Sequence, residues 1–427
     1  MTSALVLRAP RLFAGTDQPP VANGAVGLVG TRIVAAGSLD QVVGSLPEPV
    51  QVVDYPDCTL LPGLIDSHTH LLFSAGDQAL DEALHDSDEI MLLRGVANAQ
   101  AELRCGVTTV RDCGGRGLLT LRLREAVRQG IVVGPRILAA GTPITTTGGH
   151  LHFCGLEADG LLEVVKAVRR LCKAGVDFIK VMATGGGMTP GTNPRAPQYT
   201  QEELTALVAE ARRLGRQVAA HCHATEGIAR AVLAGVQTIE HCSWLHPEAG
   251  HLFDERVVMA MRERGTVVTL TMGSERAVLK PPEDLAPWQR EAVARYGPHF
   301  DVLRRTIQAG VPFIAASDAG VSRTFFDEYF LTLEVLVFQL EVPPLEALRA
   351  TTGRAARVLG LAGQTGTLEP GCAGDLVVVA GDPCSDIRAL RQVVAVYRDG
   401  RLVVDRGRLV PPPRSPAQAG VSVERRE

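Results

Sequence analysis

Between about Leu60 and Leu361, short β-branched runs alternate with helix-like stretches, and this alternation constrains the fold more than any other feature. The runs are Leu60–Ile65, Val107–Val110, Arg136–Ala140, Phe178–Ala183, Gln217–Ala220, Gln237–Glu240, Thr266–Leu270 and Pro312–Ala316. Each ends in polar or glycine-rich residues. Helical periodicity fills the gaps, as over Glu89–Leu103, Leu162–Lys173, Glu202–Leu214 and Phe300–Gln308. Thr200, three residues before Glu203, supplies a capping box for one of these helices. Eight strand-then-helix units predict an α/β fold, with a (β/α)8 TIM-type barrel as the expected form. A doubly wound open sheet shares the same alternation.

Both chain ends read differently. Ala25–Val29, Thr31–Ala36 and Val50–Val53 are short strands near the start, and Asp375–Ala380, Val393–Tyr397 and Arg401–Val404 are strands near the end. Asp399-Gly400 is a hairpin signal between the last two. The expected organisation is a barrel over 60–361 and one small β-sandwich built from 1–59 and 362–410. A disordered tail is expected over 411–427, starting at Pro411-Pro-Pro413.

The 427 residues carry 43 basic and 47 acidic side chains, a net charge of -4. That balance gives no field to attract nucleic acid or an anionic membrane. No apolar run approaches the roughly 18 residues needed to span a bilayer. The short apolar run Ala4–Leu7 has no basic stretch before it, so no secretory signal is expected. Nine scattered cysteines argue against a disulfide framework. A cytoplasmic enzyme acting on a small-molecule substrate is the expectation, and a homo-oligomer is compatible with it.

The chemistry-bearing residues cluster at the ends of these runs. His68 and His70 follow the first run, and strand alternation points both the same way, as two imidazoles sharing a metal require. Lys180 lies in the fourth run, His221 ends the fifth, His241 the sixth, and Asp318 follows the eighth. In a barrel these ends meet on one face.

With these motifs in view, the chain resembles the amidohydrolase superfamily. The matching segments are Pro62-Gly-Leu-Ile-Asp-Ser-His68-Thr-His70, Ile179-Lys180-Val181, Ala219-Ala-His221, Ile239-Glu-His241, Ala316-Ser-Asp318 and Gly366–Leu376. Gly374 stands where the family commonly has alanine, outside the pocket. Thr184-Gly-Gly-Gly-Met-Thr-Pro190 and His221-Cys-His223 are similar to the imidazolonepropionase-related, prolidase-like branch.

The resemblance implies two divalent metal ions, with zinc the expected identity. His68, His70 and Asp318 would hold one and His221 and His241 the other. Lys180, carboxylated to a carbamate, would bridge them; carboxylation turns a repelling ammonium into an anionic two-oxygen ligand. The implied reaction is attack of a metal-bridged hydroxide on an amide carbonyl, with Asp318 taking and returning the proton. His150 and His223 would touch the substrate carbonyl. Arg195 is a candidate for a substrate carboxylate, against a solvated loop arginine. His152 is weaker.

Cys222 and Cys242 should turn away from the pocket as small buried hydrophobes. Gly185-Gly-Gly187 lacks the Gly-Lys-Ser/Thr ending of a phosphate loop. Arg111-Asp112 reads as a buried pair shaping the pocket, and His246, His251 and His299 default to surface roles.

The expected activity is cleavage of a small amide, such as an N-acyl amino acid or dipeptide. One alternative is hydrolysis of a nucleobase-like ring, by deamination or at a cyclic amide. Deaminases of the superfamily this chain resembles typically place glutamate three residues after the fifth-strand histidine. Here that position is Ala224, and Glu226 is two residues too far. The other alternative is an inactive barrel scaffold, which would be expected to have lost ligands that this chain keeps.

Overall fold

The computed structural model describes residues 4–411, and the part of the tail expectation that falls on 412–427 lies outside the described residues. Among the described residues, two parallel runs of strands make the middle of the chain. Leu64–Thr69, Val107–Asp112 and Arg136–Ala139 pair in that order. Ile179–Met182, Val218–Ala224, Thr238–His246, Val267–Thr271 and Phe313–Ala316 form the second run. Backbone hydrogen bonds connect the runs on both sides. The Asp177 amide donates to the Ala139 carbonyl at 3.0 Å, and the Asp318 amide donates to the His68 carbonyl at 2.9 Å. The expected α/β alternation is therefore present.

One unit shows why these residues fold this way. Helix Gly160–Ala174 buries Val164, Ala167, Val168 and Leu171, spaced three and four apart, so one apolar stripe faces the sheet. Gly175 ends the helix at φ 87°, in the left-handed region that glycine enters without a Cβ penalty. The chain then enters Ile179–Met182, where every residue is buried, as a parallel strand covered on both faces requires. The capping box is formed as expected: the Glu203 amide donates to Thr200 Oγ1 at 3.2 Å, and the Thr200 amide to Glu203 Oε2 at 2.8 Å.

Two strand expectations shift. The run Leu60–Ile65 is divided at Gly63. Its first part belongs to the strand Cys58–Pro62, which pairs antiparallel with Leu376–Ala380, and the inner strand starts at Leu64. Hydrophobicity could not reveal the break, because both sides are equally apolar. The helix expected over Phe300–Gln308 starts earlier, at Pro287, and two short 3-10 helices precede it.

Strands from both chain ends share one sheet. Ala4–Leu12 pairs with Val21–Val29 on one side and, farther along, with Val50–Asp54 and Cys58–Pro62 on the other. Cys58–Pro62 joins this group to Leu376–Ala380, Val393–Arg398 and Arg401–Asp405. Asp399 and Gly400, at φ 49° and 73°, make the hairpin turn that their sequence signals. Leu7, Leu28, Leu60, Val378 and Tyr397 belong to the core of this sheet. All nine cysteines are unpaired, and among the described residues no helix is long and apolar enough to cross a membrane.

Candidate active site

A cavity of about 200 Å³ opens at the C-terminal ends of the parallel strands. His70, His150, Lys180, His221, His223, His241 and Asp318 line it, and His68 lies beneath, 1% exposed. The structure thus gathers these histidines, the lysine and the aspartate from five strand ends and one loop. A larger cavity of about 410 Å³, lined by Arg32, Arg136 and Arg398 among others, contains none of them.

The hydrogen bonds orient the imidazoles. His68 Nδ1 lies 2.7 Å from Glu240 Oε2, so it carries the proton and leaves the Nε2 lone pair facing inward. Nε2 lies 3.2 Å from Lys180 Nζ and 3.3 Å from Asp318 Oδ1. His70 Nδ1 donates to the Gly114 carbonyl at 2.7 Å, leaving its Nε2 3.5 Å from Asp318 Oδ1. His241 Nδ1 meets Thr271 Oγ1 at 2.7 Å, and the ring centroids of His221 and His241 are 4.6 Å apart. Burial lowers the pKa of all four imidazoles, with the Lys180 charge adding to the effect, so they are neutral.

These features fit a metal centre. Ligating atoms of His68, His70 and Asp318 lie within 4.8 Å of one another, as do those of His221, His223 and His241. Asp318 Oδ1 is buried and makes no hydrogen bond, a costly condition that a cation would relieve. Burial pushes the Asp318 carboxyl up to about 8, against the lowering effect of Lys180. Lys180 is fully buried, and among the described residues it forms no ion pair. Carboxylation would remove that isolated charge and add two ligand oxygens.

Several side chains hold this arrangement without facing the cavity. Glu240, wholly buried, accepts from the Arg111 guanidinium at 2.8 and 2.9 Å as well as from His68. Arg111 and Asp112 are both buried, as expected, but they do not bond each other: Arg111 turns to Glu240, while Asp112 accepts from the Leu71 amide at 2.8 Å. Adjacent residues of one strand have opposite faces, so Arg111 and Asp112 could not share one. Asp66 accepts the Ser317 amide at 3.0 Å and also bonds the Ser317 hydroxyl, fixing the residue before Asp318. Asp318 itself stands at φ 64° and His241 at φ 68°, backbone that non-glycine residues adopt at a cost.

His150 is 5% exposed and lies 4.5 Å from His221 between ring centroids; its Nδ1 has no hydrogen-bond partner. Gly186 is the reason it fits, since a Cβ there would come within 2.4 Å of His150 Nε2. The triple glycine therefore makes room for an imidazole. His223 Nδ1 lies 2.8 Å from Ser243 Oγ. Cys222 and Cys242 are fully buried and outside the cavity lining, with thiols pushed up by burial.

Other candidates lie elsewhere. Arg195 is exposed and does not line the cavity, because its loop turns outward at Asn193, whose Oδ1 accepts the Arg195 amide. His152 is also exposed. Glu226 pairs with Arg230 on its own helix rather than facing the cavity, which counts against ring deamination. His299 corrects its surface assignment: the long helix Pro287–Gln308 carries it into the cavity wall. His251 is half-buried and donates to the Ser243 carbonyl, and His246 accepts two turn amides. Glu240 was legible as a charge within a strand, whereas Glu275 and His299 reach the cavity from segments without a readable pattern.

Comparison with known proteins agrees with this geometry. Residues 59–403 match the model of the amidohydrolase family. The chain is 30% identical over 378 residues to ochratoxinase of Aspergillus niger, covering 80% of this chain and 75% of that one. It is 28% identical over 405 residues to imidazolonepropionase of Rhizorhabdus wittichii, covering 86% and 90%. Among solved structures, a Xaa-Pro dipeptidase with bound methionine superposes with a TM-score of 0.81 at 29% identity, over 93% of this chain and 99% of that one. The imidazolonepropionase and the dipeptidase match the imidazolonepropionase-related, prolidase-like branch that the sequence motifs indicated. The chain belongs to the amidohydrolase family.

Proposed function

We propose that this chain is a metal-dependent hydrolase of a small amide, an N-acyl amino acid, a dipeptide or a related compound. Family membership makes it a hydrolase acting on carbon–nitrogen bonds; the amide class is our reading. The observation that carries it is the convergence of four histidines and Asp318 around the buried Lys180, which among the described residues forms no ion pair. The similarity to a Xaa-Pro dipeptidase supports a peptide-like substrate. The interstrand bonds on both sides of the parallel runs support a closed (β/α)8 barrel, with the terminal strands as a separate β-sandwich domain.

In this reading His68, His70 and Asp318 would hold one divalent ion and His221 and His241 the other, and Lys180, carboxylated, would serve both. Bound there, the ions supply Lewis acidity toward a carbonyl and make hydroxide available near neutral pH. The protein's own residues do the rest. Glu240 keeps His68 in the tautomer with Nε2 free. Asp318 takes the proton of the attacking water and returns it to the leaving amine. His150 and His223 orient the carbonyl from the cavity wall.

The test is amine release from a panel of N-acyl amino acids and dipeptides by zinc- or manganese-loaded protein, with elemental analysis of wild type and Lys180→Ala. Cleavage of amides with two ions per chain is expected, and loss of both in the variant. Ammonia release from purines, pyrimidines or triazines, with no amide cleaved, would discard the amide assignment. Equal metal content and activity in Lys180→Ala would remove the bridging role.

A further inference from the structure

The metal candidates occupy only part of the cavity, and the remainder carries a carboxyl with no assigned role. Glu275 lies on the 3-10 helix that follows the strand Val267–Thr271 and lines the cavity while only 8% exposed. Its backbone is fixed: the Gly273 amide donates to the Ser317 carbonyl at 3.0 Å, and a Cβ on Gly273 would lie 2.4 Å from that oxygen. One carboxylate oxygen, Oε2, accepts from Ser274 Oγ at 2.9 Å. Among the described residues Glu275 forms no ion pair, since the neighbouring Arg276 turns to Glu328 at 2.8 Å. His299 shares the wall, and burial, with His251 and His223 adding to it, holds His299 down to about 3, so it is no cation.

A buried carboxyl without a cation holds its proton, and burial pushes Glu275 up to about 7, so a cation bound in the cavity would displace that proton and pair with the carboxylate. The same wall is apolar at Leu151, Met188 and Val321, a surface suited to the methylene stem of a long cationic side chain. Arg195, the expected partner for a substrate carboxylate, is outside the cavity.

We propose that Glu275 forms a cation subsite, so that the enzyme selects amides bearing an ammonium or guanidinium on an alkyl stem near the scissile bond. The assignment deepens the amide-hydrolase reading and rests on it for the place of the scissile bond.

Amino alcohols test the subsite without any bond to cleave. L-lysinol, L-argininol and L-norleucinol share one head group with its α-ammonium, and only the first two add a cation at the end of the alkyl side chain. Calorimetry on zinc-loaded wild type is expected to show the two cationic probes binding about tenfold or more tighter than norleucinol, the scale of a charged hydrogen bond. Glu275→Gln should abolish that preference, and Glu275→Asp should keep part of it; thermal unfolding checks that each variant is folded. Equal binding of the three probes, no binding of the cationic ones, or a preference that survives in Glu275→Gln overturns the subsite. Hydrolysis of lysyl-, arginyl- and norleucyl-containing dipeptides is measured separately. No cleavage with the binding preference intact would remove the hydrolase reading and leave the subsite standing.

Discussion

In the proposed mechanism, Asp318 is the residue on which ligation and proton transfer meet. It is held from behind by Ser317 and Asp66, and its free oxygen faces His68 and His70. Asp318→Asn keeps an oxygen for a metal but cannot hold the proton. We expect turnover to fall roughly a hundred- to ten-thousand-fold, with metal content, read by elemental analysis, changing far less. Near-normal turnover would exclude Asp318 from proton transfer. Glu240 acts one step back, through His68. Glu240→Gln should weaken metal binding by about 10- to 100-fold, seen in competition with a chelator. Arg111 would also lose its charged partner, so the variant should unfold at lower temperature. Unchanged affinity would make the Glu240–His68 contact purely structural.

At the scale of elements, strand ends were legible in the sequence and the departures from regular strand were not. His68 and His70 obey alternation, as do Lys180, His221 and His223, so period two places them. The sixth strand does not. Glu240 and His241 are adjacent and should face opposite ways, yet both serve the same centre, because His241 and Cys242 lie at φ 68° and 53°. The motif singles out His241, while the backbone twist that lets the adjacent Glu240 reach His68 has no signature in side-chain pattern. The helix Asp88–Arg104 hides a similar exception. Its buried stripe Met91, Gly95, Ala99 and Leu103 includes Glu102, fully buried with neither carboxylate oxygen bonded. Burial raises its pKa well above 4.5, and Asp66 and Asp327 add to the rise. Above that pH the unfolded carboxyl ionises while the folded one stays protonated, so stability falls as pH rises. Glu102→Met should stabilise the protein by about 1–3 kcal/mol at pH 8 and by less at pH 5, measured by chemical denaturation. An equal gain at both values would refute the ionisation argument.

At the scale of the molecule, the alternation of β-branched runs and helices announced the parallel α/β architecture, and β-rich ends announced a second sheet. The cavity's specificity was not legible. Glu275 and His299 reach the cavity wall from segments whose composition carries no period, and the loop cation expected from sequence, Arg195, turns outward. Loop residues reach a pocket by tertiary packing, which no local pattern encodes.

The sheet that joins both ends also has a consequence for synthesis. Cys58–Pro62 finds one neighbour early, in Ala4–Leu12, but its other edge pairs with Leu376–Ala380. From Pro62 to Leu376 is 376 − 62 = 314 positions. At about 5–20 residues per second, that edge waits roughly 15–60 s on the ribosome. An apolar edge left open for that time invites pairing with other chains. Stalled nascent chains ending near residue 360 should therefore bind holdase chaperones and be cut by protease within the first 60 residues, while chains extended past Asp405 should resist. Equal resistance in both would mean that the N-terminal strands close on themselves, and that the late strands merely add to a finished sheet.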